Sequence, residues 1–405
     1  MDLDLGEKYE QLRRETLAFV ADNWPLRGGE AELPQEQQET LFRKRGIEAG
    51  FLFRTVPREY GGPGLEADVL AETVIREALN ESGAPWRMPN PQGTDMLVPT
   101  LLEEGSPEQC QKYIPPTLFG ELRWCQGYSE PGSGSDLASL QSRAELDGDE
   151  WVLSGQKIWT SNALEADMMF GLFRTEPDAP RHGGISYLLV DMKSPGIDAR
   201  PLKQMNGGSE FCEVFFDNVR VPAENIVGAR GEGWKVSKAT LKHERMLIGD
   251  ANYLKMVFDD LLALARKSMR GGRPAIEDPA IRQQLASIEG FVATQKYASF
   301  RMISAISRNE DMKAINEMMM TKLYLTNVAQ KVAKLSIDLV GDGALLAPAD
   351  DETTMRQGWK TVGSWVSNYM MTLGIAIAGG ASNIQRNLIG ERILGLPRDL
   401  RRSTN

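Results

Sequence analysis

Residues 129–163, SEPGSGSDLASLQSRAELDGDEWVLSGQKIWTSNA, contain the change of pattern that decides the fold. They open with a loop of serines and glycines, pass through a DGD turn, and continue into the strand-like run EWVLSGQKIWTSN. Helical periodicity dominates before this stretch, and short apolar runs separated by Gly, Asp and Pro follow it. The stretch therefore predicts the entry into a β domain.

On the N-terminal side the pattern is helical from residue 5 to about residue 118, which predicts a helical domain over residues 1–119. Its first segment, KYEQLRRETLAFVADNW, has i+3 and i+4 spacing of the residues that would form one buried stripe, namely Tyr9, Leu12, Thr16, Phe19 and Val20.

On the C-terminal side, GGISYLLVDM (183–192) and FCEVFFDNVRVP (211–222) predict further strands, and residues 120–230 are assigned to an antiparallel barrel or sandwich. Helical spacing returns after residue 230, with one apolar face formed by Leu247, Ala251, Leu254, Phe258, Leu261 and Ala265. Residues 231–405 are therefore predicted to form a bundle of four or so helices. The fold class is α+β multidomain, in the order helical domain, β domain, helical bundle.

The chain has 405 residues, 41% of them hydrophobic, and a net charge of −10, which argues against nucleic-acid binding because phosphate contacts need a basic face. Its N-terminus, MDLDLGEKYE, lacks the pattern of a signal peptide. The apolar stretch YMMTLGIAIAGGA (369–381) is too short for a membrane span and contains glycine. We expect a cytoplasmic protein.

Cysteine and histidine content argues against disulfides and metal centres. The chain has three cysteines without CxxC spacing and two histidines, so a reduced compartment and no metal site are expected; these residues are Cys110, Cys125, Cys212, His182 and His243.

The loop SEPGSGSD (129–136) allows two interpretations. Gly132 and Gly134 let backbone N–H groups approach a ligand, and the serines add hydroxyl donors, which suits a flavin edge or a phosphate. The same composition is also typical of an ordinary surface turn, and Asp136 is expected to be a turn residue.

Three separated motifs resemble the acyl-coenzyme A dehydrogenase family: the stretch 129–163, FFDNVRVPAENIVGARGEGW (215–234) and SNIQRNLIGERILGLPR (382–398). They occur in the family's order and span most of the chain. The resemblance implies FAD-dependent conversion of an acyl-CoA thioester to the trans-2-enoyl thioester, with hydride passing to flavin N5, in fatty or branched acyl catabolism. It also implies reoxidation by an electron-transferring flavoprotein and a homodimer or homotetramer.

The resemblance also assigns residues to the cofactor and the substrate. Flavin positions are Gln126, Tyr128, Ser129, Gly134, Ser135, Trp159, Thr160 and Ser161, together with Arg270 and Gly341 from the C-terminal domain. Substrate positions are Ser135, Arg245 and Gly379. Trp159 by itself is more typical of a strand core. The arginine that reaches a neighbouring subunit's flavin could be Arg266 instead of Arg270.

Glu244, in LKHERMLIG (241–249), is the candidate catalytic base. On a helical wheel it lies beside apolar positions, and such an environment raises a carboxylate's pKa above about 4.3, as a base near neutral pH requires. The alternative is a solvated first turn of a helix. The resemblance favours the base, because one branch of the family carries it in a Glu-Arg pair. In the late segment where other members carry it, this chain has Ala378 and Gly379. Arg245 would orient the site or form a surface ion pair, and His243 is expected to be a helix-face residue.

The chain departs from the family at Ala381 and Asn383, positions that normally help to hold the flavin. Some cofactor contacts are therefore expected to be weaker or supplied elsewhere. These departures point to one alternative, a subunit that needs a different partner chain to complete its flavin site. A second alternative, which the resemblance also allows, is a flavin oxidase, monooxygenase or eliminating enzyme of the same fold. MPNPQGTDMLVP (88–99) is expected to line the acyl side of the pocket.

Overall fold

The computed structural model describes residues 6–88, 90–248, 251–308, 310–353 and 359–397. The chain forms two compact units. Unit 1 consists of Met1–Leu202 and Glu210–Glu244, and unit 2 of Lys203–Ser209 and Arg245–Asn405.

Unit 1 begins with helices: α1 (Glu7–Asn23), α2 (Gln35–Glu48), α3 (Val69–Ser82), α4 (Val98–Glu104) and α5 (Pro107–Leu118). Their starts follow local capping chemistry. The Asp68 carboxylate accepts from the N–H groups of Leu70 and Ala71 at the start of α3, and Ser106 forms a capping box with Gln109 at the start of α5. The predicted stripe of α1 is confirmed, since Thr16 and Val20 are buried.

The sheet of unit 1 contains β1 (Trp124–Gly127), β2 (Arg143–Asp147), β3 (Glu150–Ser161), β4 (Met168–Arg174), β5 (Ile185–Asp191), β6 (Ile197–Leu202), β7 (Phe211–Pro222) and β8 (Ile226–Val227). The strand order is β6-β7-β3-β2-β4-β5-β8, and β1 pairs with β4. Most pairs are antiparallel, as predicted, but β1 and β2 each run parallel to β4, so the sheet is mixed.

One apolar core joins the N-terminal helices to the sheet. Phe42 and Leu97 from the helical part belong to the same buried cluster as Phe170 and Tyr187 from the sheet. A second cluster, which includes Leu153 and Val214, also lies in the sheet region. The helical and β parts are therefore one packing unit. The predicted boundaries at 119/120 and 230/231 stay a prediction.

The helix α6 (Gly233–Ile248) follows the sheet and carries the last residues of unit 1. Unit 2 then contains α7 (Ala251–Lys267), the short strands β9 (Met269–Arg270) and β10 (Arg273–Pro274), α8 (Pro279–Ser307), α9 (Asp311–Val340), α10 (Val362–Ile375) and α11 (Ser382–Leu388). Leu254, Phe258 and Leu261 of α7 are buried in its core, as the predicted stripe requires. The predicted fold class is confirmed.

Candidate active site

The loop 129–136 is a tightly closed turn and not a flexible linker. Glu130 and Ser133 exchange two backbone hydrogen bonds, with N···O distances of 2.9 and 3.0 Å. The Ser133 hydroxyl donates to the carbonyls of Asp136 and Leu137 at 3.0 and 3.2 Å. Ser133 is therefore used within the loop, and its neighbours Gly134 and Ser135 are exposed.

The loop glycines leave open space. A Cβ added to Gly132 or Gly134 would meet no atom within 4 Å, and neither residue has a positive φ. The fold itself does not demand glycine at either position. Glycine at both positions leaves the backbone open to close approach by a ligand.

A buried ion pair between Glu130 and Lys157 anchors the loop 129–136 to strand β3. One Glu130 carboxylate oxygen accepts from Lys157 Nζ at 2.8 Å and from Ser142 N at 2.9 Å, and the other accepts from Gln141 N at 2.7 Å. Lys157 Nζ also lies 3.3 Å from the Tyr128 carbonyl, and this lysine side chain is 0% exposed. The pair joins both ends of the loop to strand β3. The sequence analysis missed both residues.

Both members of the pair are charged at neutral pH. Burial raises the pKa of Glu130, but the Lys157 ammonium and the two backbone N–H groups lower it further, so the pKa lies below its ordinary value. Burial lowers the pKa of Lys157 to about 8, against the attraction of Glu130.

Strand β3 is distorted where the predicted flavin residues lie. Its register with β7 shifts between Lys157 and Thr160, and Trp159 has a φ of 61°, in the left-handed region that side chains disfavour. The Trp159 side chain is 60% exposed and touches Phe211 edge-on, with 6.2 Å between ring centroids. Trp159 is therefore not the strand-core tryptophan that its sequence context alone would suggest. Strained backbone of this kind is concentrated at active sites and ligand-binding segments.

Two buried polar atoms beside this distortion have no hydrogen-bond partner within the described parts of the chain. They are Thr160 Oγ1, on a residue that is 0% exposed, and Gln126 Nε2 in β1. An unpaired buried polar group costs about 1–3 kcal/mol, so each is suited to a bound group that completes it. The Ile158 N–H donates to the Ser129 carbonyl at 2.9 Å, which places the predicted residues 126–129 and 159–161 on adjacent segments.

The segment 88–99 forms a π-helical turn at Gln92–Leu97, a conformation that is frequent at functional sites. Its residue Pro89 lies outside the described residues. Asn90 Oδ1 and Gln92 Oε1 are buried without a partner in the described structure, and burial raises the pKa of Asp95. The role of the segment 88–99 in lining the acyl side of the pocket stays a prediction.

The candidate base Glu244 lies in α6, but its side chain and that of Arg245 fall outside the described residues, as do those of Leu247 and Ile248. The preceding His243 is described: its Nε2 lies 3.0 Å from a Glu103 carboxylate oxygen on α4. Burial lowers the pKa of His243, and Glu103 opposes this shift. His243 therefore makes a specific contact beyond a generic place on the helix face.

The predicted residues of unit 2 lie at chain bends or on its surface. Gly341, with a φ of 63°, ends α9, and Gly379 has a φ of 60° in the connection between α10 and α11. That connection is held by the buried Lys322, whose Nζ donates to the carbonyls of Ile375 and Gly380 at 2.8 and 2.9 Å. Arg270 Nε lies 3.4 Å from an Asp278 carboxylate oxygen, and its alternative Arg266 is in the last turn of α7.

Within the described ranges, no group of three or more His, Cys, Asp or Glu side chains could hold a metal ion. Among the same residues, no helix is both long and apolar enough to cross a bilayer.

Comparison with known proteins gives the family of the chain. Three family models match in chain order: the acyl-CoA dehydrogenase N-terminal domain over residues 6–121, the middle domain over residues 125–219 and the C-terminal domain over residues 231–394. The chain belongs to the acyl-CoA dehydrogenase family. As such it is an oxidoreductase, and the resemblance of the three motifs is confirmed.

Several relatives of this acyl-CoA dehydrogenase cover nearly its full length. The acyl-CoA dehydrogenase IpdE1 of Mycobacterium tuberculosis is 36% identical, over 96% of this chain and 98% of the relative. The solved ChsE4-ChsE5 complex from Mycobacterium tuberculosis matches at a TM-score of 0.76 and 27% identity, over 98% of this chain and 100% of that chain. A solved structure described as the Tcur3481-Tcur3483 steroid ACAD matches at a TM-score of 0.77 and 28% identity, over 98% of this chain and 100% of that chain.

Proposed function

We propose that this acyl-CoA dehydrogenase binds FAD and catalyses α,β-dehydrogenation of an acyl-CoA thioester, with Glu244 as the base. The observation that carries the proposal is the distortion of β3, where the strained, exposed Trp159 lies next to the unpartnered hydroxyl of Thr160. A merely structural strand end would bury the tryptophan and pair the hydroxyl.

The residues of unit 1 fit a flavin. Thr160 Oγ1 and Gln126 Nε2 offer unpaired hydrogen-bonding atoms, Trp159 offers an aromatic face, and Gly134 leaves its backbone open. Tyr128, Ser129, Ser135 and Ser161 complete the set on the same two segments. Arg270 and Gly341 of unit 2 are assigned by family resemblance, with Arg270 reaching a neighbouring subunit. When bound, FAD supplies the two-electron oxidising power that removes hydride from the β-carbon.

The chain's own residues hold the thioester and move one proton. Glu244 accepts the proton from the α-carbon, because a base must act where the C–H bond is acidified by the neighbouring carbonyl. Backbone N–H groups near Gly379 polarise that carbonyl, and Ser135 and Arg245 orient the substrate. Lys322 supports this arrangement, since it fixes the connection that carries Gly379.

We assign the substrate to the bulky acyl-CoA thioesters, branched or steroid-type. Support comes from the solved neighbour described as a steroid ACAD. The reduced enzyme passes its electrons to an electron-transferring flavoprotein, and the enzyme works in the cytoplasm as a homodimer or homotetramer.

The test is an absorption spectrum of the purified chain, followed by anaerobic addition of straight, branched, aromatic and steroid-type acyl-CoA thioesters. A flavin band that bleaches with a bulky thioester supports the proposal. Bleaching by straight-chain thioesters alone would overturn the substrate class. A flavin band that no thioester bleaches would overturn the reaction.

A second candidate is a subunit whose flavin site is completed by a different chain. Two observations favour it: the solved neighbours are described by pairs of protein names, one of them as a complex, and Ala381 and Asn383 depart from the family pattern. Purification of the chain alone distinguishes the candidates. A colourless protein that stays colourless with added FAD, and gains flavin only with a second related chain, supports the heteromer.

A further inference from the structure

We propose that the buried hydroxyl groups of Thr100, Thr240 and Tyr187, together with the ring contact between Tyr187 and Tyr128, form a positioning network that couples the helix of the catalytic base to the flavin loop. The proposal rests on the function proposed above. It assigns a role to four residues that lie in separate elements of unit 1 and that the catalytic assignments leave unexplained, except for Tyr128.

The network runs through the interior of unit 1. Thr100 Oγ1 on α4 lies 3.0 Å from Thr240 Oγ1 on α6, and Thr240 Oγ1 lies 3.5 Å from the Tyr187 hydroxyl on β5. Tyr187 in turn contacts Tyr128 through an edge-on ring contact, with 6.3 Å between centroids. A hydroxyl has one donor and two acceptor sites, so each group can serve two neighbours.

The side chains of these four residues are buried, although each carries a polar hydroxyl group. Thr100, Thr240 and Tyr187 are 0% exposed, and Tyr128 is 5% exposed. Phe170 stacks on Tyr187 at 6.0 Å with its ring plane tilted by 4°. Valine and phenylalanine would fill the same volumes without the cost of burying a polar group. Directional bonds, and not packing alone, therefore distinguish these residues.

The network passes beside both proposed catalytic segments. Glu244 follows Thr240 by one helical turn on α6. Tyr128 directly precedes Ser129, whose carbonyl accepts from Ile158 N, next to Trp159. Glu103 and His243 add a second contact between α4 and α6, one turn further along both helices.

A positioning role follows from the sensitivity of proton and hydride removal to geometry. A misplacement of about 1 Å can cost on the order of 10²-fold in rate. Hydrogen bonds have narrow distance preferences, whereas apolar contacts tolerate sliding, so a hydroxyl network sets the register of α6 against the sheet more exactly than an apolar core.

The test compares variants that remove one hydroxyl group and keep the shape of the side chain, inside and outside the network. Tyr187→Phe and Thr240→Val are made in the flavin-loaded enzyme, and Tyr113→Phe and Thr16→Val serve as controls. The Tyr113 hydroxyl bonds Asn225, and the Thr16 hydroxyl donates to the Leu12 carbonyl of its own helix, so both are buried hydroxyls outside the network. Flavin reduction by an acyl-CoA thioester is followed anaerobically, alongside kcat, KM and thermal unfolding.

The network predicts that each deletion lowers the rate of flavin reduction and kcat about tenfold, with KM changed less than threefold. The double variant should be no slower than the slower single variant, because coupled residues are not additive. Thr240→Ser should restore the rate, and the controls should lose stability only. Rates equal to those of the controls, or strictly multiplicative losses, would overturn the network.

Failure of the proposed function gives a different result. If no thioester reduces the flavin of the unmodified enzyme, the dehydrogenase proposal fails. In that case FAD affinity is measured for the same variants, and additive losses for Tyr187→Phe and Thr240→Val would overturn the network as well.

Discussion

Replacement of Glu130 by glutamine tests the ion pair beneath the loop 129–136. The variant keeps the side-chain shape but leaves the Lys157 ammonium, which is 0% exposed, without a counter-ion. The glutamine amide also cannot accept from both Gln141 N and Ser142 N, as the two carboxylate oxygens do.

The magnitude follows from the two ways in which the protein can respond. Removing one partner of a buried pair typically costs about 3–5 kcal/mol. The lysine can instead lose its proton, and because its pKa is already lowered to about 8 in the folded protein and falls further without Glu130, this response favours the lower end of that range. Glu130→Gln is therefore expected to lower the free energy of unfolding by about 3–5 kcal/mol and to weaken FAD binding, because the loop loses its anchor.

The assay is chemical denaturation of the flavin-free and flavin-loaded protein, with the double variant Glu130→Gln, Lys157→Met as the matched control. The control removes both charges and should recover most of the lost stability. Because the pKa of Glu130 is lowered, its contribution is present above about pH 4.5 and is lost as the pH falls through the folded-state pKa. Glu130→Gln should therefore weaken the acid dependence seen in the unmodified protein. A loss below about 1 kcal/mol at pH 7 would refute the reasoning.

Three further changes give distinct outcomes. Gly134→Val should change the free energy of unfolding by less than about 0.5 kcal/mol, because a Cβ at this position meets no atom within 4 Å. The variant should nevertheless bind FAD or the thioester at least about tenfold more weakly in equilibrium titration. Unchanged affinity would count against a ligand at this loop. Lys322→Met should cost about 1–3 kcal/mol in thermal unfolding and reduce kcat, since the carbonyls of Ile375 and Gly380 lose their donor; normal turnover would separate this lysine from the site. Because the pKa of His243 is lowered in the folded protein, the unfolded chain binds this proton first as the pH falls, and the free energy of unfolding should decrease below about pH 6.5. His243→Gln should remove part of that decrease in denaturation measured as a function of pH. A variant with the same pH profile as the unmodified protein would exclude a contribution from His243.

The order of helical domain, β domain and helical bundle could be predicted because periodicity alone separates the segments. The strand FCEVFFDNVRVP is β7, and the apolar stripe of α7 is buried in unit 2. Parallel pairing of β1 and β2 with β4 could not be predicted, because it depends on long-range register and not on any local pattern. The shared core of the N-terminal helices and the sheet was hidden for the same reason.

The sequence pointed to the candidate site residues, whose roles stay a prediction, but not to the contacts that support them. The Ser/Gly loop and the Lys-x-Trp run stand out in the sequence, whereas the pairing of Glu130 with Lys157 joins positions 27 residues apart. A lysine in a strand is normally exposed, so its complete burial could not be inferred from residue type. The EP dipeptide before the glycines and the lysine two residues before Trp159 were the available signals. The contacts of Thr100, Thr240 and Tyr187 join three elements, and no local motif marks them.

The most direct test of the proposed dehydrogenation is anaerobic flavin reduction in Glu244→Gln compared with the unmodified enzyme, using the thioester that bleaches the latter. The account predicts a normal flavin spectrum, retained thioester binding and a reduction rate at least about 10²-fold slower, because the α-proton has no base. A near-normal reduction rate in a variant that still holds FAD would contradict the assignment of Glu244 and the chemistry built on it.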